Sequence, residues 1–156
     1  VGHAERRALG ETDTDVETKV LVALEAGLKP IICVGEKERD AQGDYLAYVS
    51  QQLEKAVRNV PKNKHKQILI AYEPVWAIGA EAPMSTHQMH EMTIYIRRFL
   101  QGVFGRHGLS IPVLYGGSID ASSAKDMVAE AEVDGLLVGR ASSDPVRLRE
   151  LLLALK

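Results

Sequence analysis

"ILIAYEPVWAIGA", residues 68–80, opens as a continuous apolar run, closes it on Glu73 and follows at once with Pro74. A run that does not alternate apolar with polar residues predicts a strand covered on both faces, the habit of parallel sheets. Three further runs have the same form: "PIICVG" from Pro30, "PVLYGG" from Pro112 and "DGLLVG" from Asp134. The segments between them carry helical spacing. Val16, Val20, Leu21 and Leu24 form one stripe, and Tyr45, Val49, Leu53, Ala56 and Val60 a second. A third helix starts at Ser85, with Gln88 placed to complete a capping box, and carries Met89, Met92, Ile96 and Phe99. The last has Asp144 as cap and Pro145 at its first position, with Val146, Leu148, Leu151, Leu152 and Leu155 expected to face the sheet.

Strand and helix in alternation, joined by right-handed crossovers, predict a parallel α/β layer, either an open sheet or part of a (β/α) barrel. No Pro/Gly-rich linker divides residues 1–156, which read as a single domain. Both architectures gather ligand chemistry at the carboxyl ends of the strands. Those ends read Gly35-Glu36, Glu73-Pro74, Gly116-Gly117-Ser118 and Gly139-Arg140.

A carboxylate at such an end, with apolar neighbours, has its proton affinity raised and suits a general base; the alternative is a solvated glutamate opening a loop. The apolar "VWAIGA" that follows favours the base, because so apolar a segment is wasted on solvent unless it closes over something. "YGGSI" and "GLLVGRASS" each present backbone N–H groups after a strand, and two such turns on successive strand ends suggest a phosphate site. His3 precedes a short charged helix, "AERRALGETD"; at a helix start its protonated form is disfavoured, so it can stay neutral and donate a hydrogen bond. Arg6 and Glu11 read as a structural ion pair. His87, His90 and Glu91 have metal-like spacing without an apparent third ligand, and are taken as a solvated helix face with no metal. His65 and His107 carry no signal.

Composition excludes several classes. With 46% hydrophobic and 26% charged residues and a net charge of −2, the chain is an ordinary globular sequence without an electrostatic footprint for nucleic acid. No run is long and apolar enough to cross a bilayer as a helix. Cys33 is the single cysteine, so no intrachain disulfide or cysteine metal cage is expected, in keeping with a cytoplasmic setting. The opening "VGHAERR" lacks both an initiator methionine and a leader-like pattern, and reads as the start of a piece of something longer.

Taken together, "GHAERRALGETD", "PIICVGE", "AYEPVWAIG", "YGGSI" and "VDGLLVGRAS" resemble the triosephosphate isomerase family, in that family's order and across the whole chain. The resemblance implies the carboxyl-terminal part of a parallel (β/α)8 TIM barrel, from the end of strand 4 onward. It implies an aldose-ketose isomerase without a cofactor, acting on a small phosphorylated sugar and homodimeric when full length. The family is itself the standard example of a glutamate base paired with a neutral histidine, so the roles are inherited: Glu73 the base, His3 the electrophile, Glu5 an acidic neighbour. Gly79, Ser118, Gly139 and Arg140 match positions whose N–H groups hold the phosphate, and Pro74 to about Met84 matches the lid. The family's first strands, with its catalytic lysine, have no counterpart in these residues, so this chain alone is expected to be inactive.

Three departures carry expectations of their own. Ala4 stands where the family usually has serine, which would leave the resting glutamate short of a hydrogen bond. Ala80, Glu81, Ala82 and Pro83 replace the usual lid sequence, and Arg140 replaces a glycine, adding a cation beside the phosphate position. The lid changes make a paralogue acting on a tetrulose phosphate, such as erythrulose phosphate, the second reading. A non-catalytic phosphate-binding half-barrel is the third.

Overall fold

The computed structural model describes residues 1–78 and 84–156. Its sheet has four parallel strands in chain order: β1 (Ile31–Val34), β2 (Leu69–Tyr72), β3 (Val113–Tyr115) and β4 (Gly135–Leu136). Helices α1 (Ala4–Ala8) and α2 (Asp13–Glu25) precede β1. The crossovers carry α3 (Asp44–Val57), α4 (Thr86–Phe104) and α5 (Ala124–Glu130), and α6 (Pro145–Ala154) follows β4. All four apolar runs of the sequence become strands.

Register sorts the strand residues into two faces. Ile32, Val34, Ile70, Tyr72, Val113 and Tyr115 share one face, and each is at most 2% exposed. They form the core with Val16, Val20 and Leu24 of α2, Val49 and Leu53 of α3, and Met89, Met92 and Ile96 of α4. On the other face, Cys33 and Ala71 near the carboxyl ends are buried, whereas Ile31, Leu69 and Leu114 are only half-buried. The expectation of two fully covered faces therefore holds for one: among the described residues, no element lies across the amino-terminal half of the second.

Local signals place the helices. Ser85 and Gln88 make the expected capping box on α4, through Gln88 N–H to Ser85 Oγ at 3.2 Å and Ser85 N–H to Gln88 Oε1 at 3.2 Å. Thr12 and Asp15 do the same for α2. Asp144 caps α6, accepting from the N–H groups of Val146 and Arg147 with Pro145 between, where a missing N–H costs nothing. The predicted inward face of α6 is corrected. Only Leu151 is buried, while Val146, Leu152 and Leu155 are 65%, 55% and 40% exposed. The sheet ends in the two residues of β4, too short to cover a helix of ten. No described helix is long and apolar enough to cross a membrane.

Candidate active site at the carboxyl ends of the strands

Glu73 is the first residue beyond β2, and its N–H donates to Val34 O at 2.8 Å, extending the ladder by one rung. Its side chain is 3% exposed. One carboxylate oxygen, Oε1, lies 3.2 Å from His3 Nε2; the other accepts the Ala4 N–H at 3.0 Å. The hydrogen bond expected to be missing with alanine after the histidine is thus made by the alanine's own backbone. Burial pushes the Glu73 carboxyl up from its ordinary value, and the neighbouring His3 ring and Ala4 N–H oppose that rise.

His3 is the N-cap of α1, and its Nδ1 accepts the Glu5 N–H at 3.3 Å. That bond places the ring proton on Nε2, the nitrogen that faces Glu73. The histidine is carried there by residues 1 and 2, which run beside β1. The Val1 amino group donates to Ile31 O at 2.7 Å, and the Cys33 N–H donates to Val1 O at 2.9 Å. Gly2 turns the chain at φ +74°, a conformation glycine adopts without penalty. Arg7 fixes that turn, donating from Nε to Gly2 O at 2.8 Å, from Nη1 to Asp13 Oδ1 at 2.6 Å and from Nη2 to Cys33 O at 3.4 Å. Glu11 closes the cluster: it accepts the Gly2 N–H at 3.0 Å, pairs with Lys19, and lies 3.9 Å from Arg6 Nε. The Glu5 side chain is 89% exposed with its carboxylate 4.0 Å from His3 Nδ1, and its backbone N–H donates to that nitrogen.

Gly35 and Gly116 flank Glu73 on the neighbouring strands. A Cβ on Gly116 would stand 3.0 Å from Glu73 Cγ, so the absence of a side chain there leaves the carboxylate its room. Ser118, half-buried beyond β3, donates from Oγ to Ala77 O at 3.1 Å and so ties that strand end to the segment after Pro74. Gly139 and Arg140 enter a 3₁₀ turn, and Ser142 holds the Gly139 carbonyl with both its N–H and its hydroxyl, at 2.9 and 2.7 Å. Arg140 is exposed at this rim. Gly79 lies outside the described residues.

Several contributors carried no local signal. Glu36, 1% exposed, accepts from the Tyr72 hydroxyl and from Trp76 Nε1, each at 2.8 Å, and so pins the start of the segment after Pro74. Arg39 lies 4.0 Å from Glu36 and stacks over the Tyr45 ring at 4.4 Å. Its guanidinium nitrogens are buried without a hydrogen-bond partner. Gln52 of α3 brackets Gly35, accepting its N–H at 2.8 Å and donating to its carbonyl at 3.3 Å. His65, which carried no signal in the sequence, is buried and stacked on His107 at 4.7 Å between ring centres. His87 is exposed, 3.8 Å from Glu91, and the described residues hold no cluster of three metal-ligating side chains.

Known proteins similar to this chain place it in a family. A family model described as triosephosphate isomerase matches residues 1–155. The triosephosphate isomerase of Colwellia psychrerythraea is 41% identical over 144 residues, covering 91% of this chain and 56% of that protein. That of Idiomarina loihiensis is 42% identical, covering 91% and 57%, and that of Aquifex aeolicus 39% identical, covering 93% and 59%. The crystal structure of the Bartonella henselae triosephosphate isomerase superposes with a TM-score of 0.87 at 34% identity, covering 99% of this chain and 62% of that one. The chain thus spans little more than half the length of these relatives, and its four parallel strands are part of a TIM barrel. With its parallel sheet and these matches in agreement, the chain belongs to the triosephosphate isomerase family.

Proposed function

We propose that Glu73 and His3 are the base and the electrophile of an isomerase that interconverts dihydroxyacetone phosphate and glyceraldehyde 3-phosphate. The observation that carries this reading is the pair itself: a buried carboxylate 3.2 Å from the Nε2 of a histidine whose other nitrogen accepts a backbone N–H. Glu73 takes a proton from the carbon beside the substrate carbonyl, and the electrons of that C–H bond move into the carbonyl to give an enediolate. His3 donates from Nε2 to the developing oxyanion and recovers a proton from the neighbouring hydroxyl, after which Glu73 returns its proton to the adjacent carbon. The backbone N–H groups of Gly79, Ser118, Gly139 and Arg140 are assigned to the phosphate on the resemblance, with Glu5 as the acidic neighbour of the histidine.

Turnover is proposed for the complete barrel that contains this chain, cytoplasmic and homodimeric like the family's usual form, with residues 1–156 contributing one carboxyl-terminal unit and inactive by themselves. A tetrulose phosphate is the second reading, favoured by the exposed Arg140 at a position where the family usually has glycine. The test is exchange in D₂O. Dihydroxyacetone phosphate incubated with the complete barrel should yield glyceraldehyde 3-phosphate carrying solvent deuterium on carbon, and Glu73→Gln should abolish the incorporation. Product formed without exchange, or undiminished exchange in the variant, rejects the role.

A further inference from the structure

Gln52 is the one polar residue among those that α3 buries, 2% exposed in the company of Val49, Leu53, Ala56 and Val57. A carboxamide buried without partners is costly, and this one has two, both on Gly35. Its Oε1 accepts the Gly35 N–H at 2.8 Å, and its Nε2 donates to the Gly35 carbonyl at 3.3 Å. The need for this bracket arises at the outer edge of β1. Val1 pairs there in parallel, its amino group donating to Ile31 O and its carbonyl accepting the Cys33 N–H. Continued in the same pattern, the Gly35 N–H would donate to the His3 carbonyl, and the Gly35 carbonyl would accept the Glu5 N–H. Gly2 turns the chain away first, and both groups serve the start of α1 instead: the His3 carbonyl accepts the Arg7 N–H at 3.0 Å, and the Glu5 N–H donates to His3 Nδ1 at 3.3 Å.

The turn that carries His3 toward Glu73 thus strips Gly35 of its strand partner, and Gln52 supplies both lost bonds. Gly35 in turn sets Glu73. The carbonyls on either side of the glycine, those of Val34 and Glu36, accept the N–H groups of Glu73 and Val75 at 2.8 and 3.0 Å. The glycine lies against the Glu73 main chain with no room for a Cβ, so a shift of Gly35 is a shift of Glu73. Resting on the reading of Glu73 as the base, we propose that Gln52 is a positioning residue: its carboxamide stands in for the strand that Gly35 lacks and holds Glu73 at its working place, 3.2 Å from His3 Nε2. A leucine there would fill the same apolar face and leave the strand end unheld, which is why a polar side chain occupies a core position.

The test is a double-mutant cycle of steady-state kinetics in the complete barrel. Gln52→Met keeps the length and the packing and removes both bonds. It should lower kcat by about tenfold or more and change KM for glyceraldehyde 3-phosphate by less than about twofold, since a displaced base loses rate without losing ground-state binding. In a Glu73→Gln background, where the base is already gone, the same change should cost little further. A role in packing alone would lower the melting temperature and leave kcat at its wild-type value. A wild-type kcat in Gln52→Met, or an equal loss in both backgrounds, overturns the proposal. Where Gln52→Met does not fold, Gln52→Glu decides: its carboxyl, raised by burial, reproduces both bonds once protonated, so its kcat relative to wild type should approach unity at the acid end of the active range. A deficit of about tenfold persisting there overturns the proposal equally. Failure of the base reading shows separately, as near-normal turnover in Glu73→Gln alone.

Discussion

Gly35 lets the backbone of Glu73 pass so close that a Cβ on the glycine would stand 1.8 Å from the Glu73 carbonyl oxygen. Glu73 is therefore set by the meeting of two strand ends, with Gln52 holding the glycine from the helix side. Gly35→Ala forces main chain apart at this point and is expected to cost about 3 kcal/mol, the upper end for overpacking, in urea unfolding. A variant of wild-type stability would show that the strand ends separate freely.

Replacing the base has two readouts. In the complete barrel, Glu73→Gln should lower kcat by about 10²-fold or more, with a smaller effect on KM. The acidic limb of kcat/KM should lie above the range of an exposed glutamate, because burial raises the Glu73 carboxyl; activity is present above that point and lost as pH falls through it. Near-normal turnover in the variant would remove Glu73 from the mechanism.

The same rise in proton affinity predicts an effect on stability. A carboxyl whose folded value lies above its ordinary 4.5 binds protons more readily folded than unfolded, so its contribution to stability falls as pH rises from about that value through the folded one. Glu73→Gln should accordingly melt higher than wild type at pH 8, by a margin that shrinks toward pH 4. A margin constant across that range would mean that the buried charge is already compensated.

His3 and Glu5 are separable. His3→Gln removes the Nε2 donor and should cut kcat severely, whereas Glu5→Gln keeps the backbone N–H that orients the ring and should cost far less. Steady-state kinetics on the two variants decides it; equal losses would assign the exposed Glu5 carboxylate a catalytic part that this arrangement gives to its backbone.

Glu36 anchors the segment after Pro74. Glu36→Leu strips the partner from Tyr72 and Trp76 and leaves the Arg39 guanidinium uncompensated, an expected loss of about 3–5 kcal/mol. Trp76, the single tryptophan, reports the change by fluorescence during denaturant unfolding. Adding Arg39→Met should recover much of the loss, and no recovery would place the cost in the hydrogen bonds instead.

The strands and helix starts were legible because each depends on neighbours in sequence: the unbroken apolar runs, Ser85 with Gln88, Asp144 with Pro145. Glu73 and His3 were legible through their motifs. Glu36 was not, since it acquires Tyr72 as a partner only when β1 and β2 pair in parallel, and nothing beside it announces that register. Ala4 shows a second limit, because the group that matters is its backbone N–H, which residue identity does not reveal. For α6, periodicity marked an apolar face and could not say how little sheet lay beneath it.

The order of the strands in the sheet is also their order in the chain. Among the described strands each new unit docks on the one made just before it, a topology that favours rapid folding through short loop closures. The same order ranks local openings. Among the described residues β2 is held by a neighbour on each side, whereas the two-residue β4 pairs with β3 alone, so in residues 1–156 by themselves the backbone amides at Gly135 and Leu136 should exchange with solvent well before those of Ile70 and Ala71. The rim bearing Gly139 and Arg140 is then the part of the site that the fold protects least, and ligand bound there would slow exchange most.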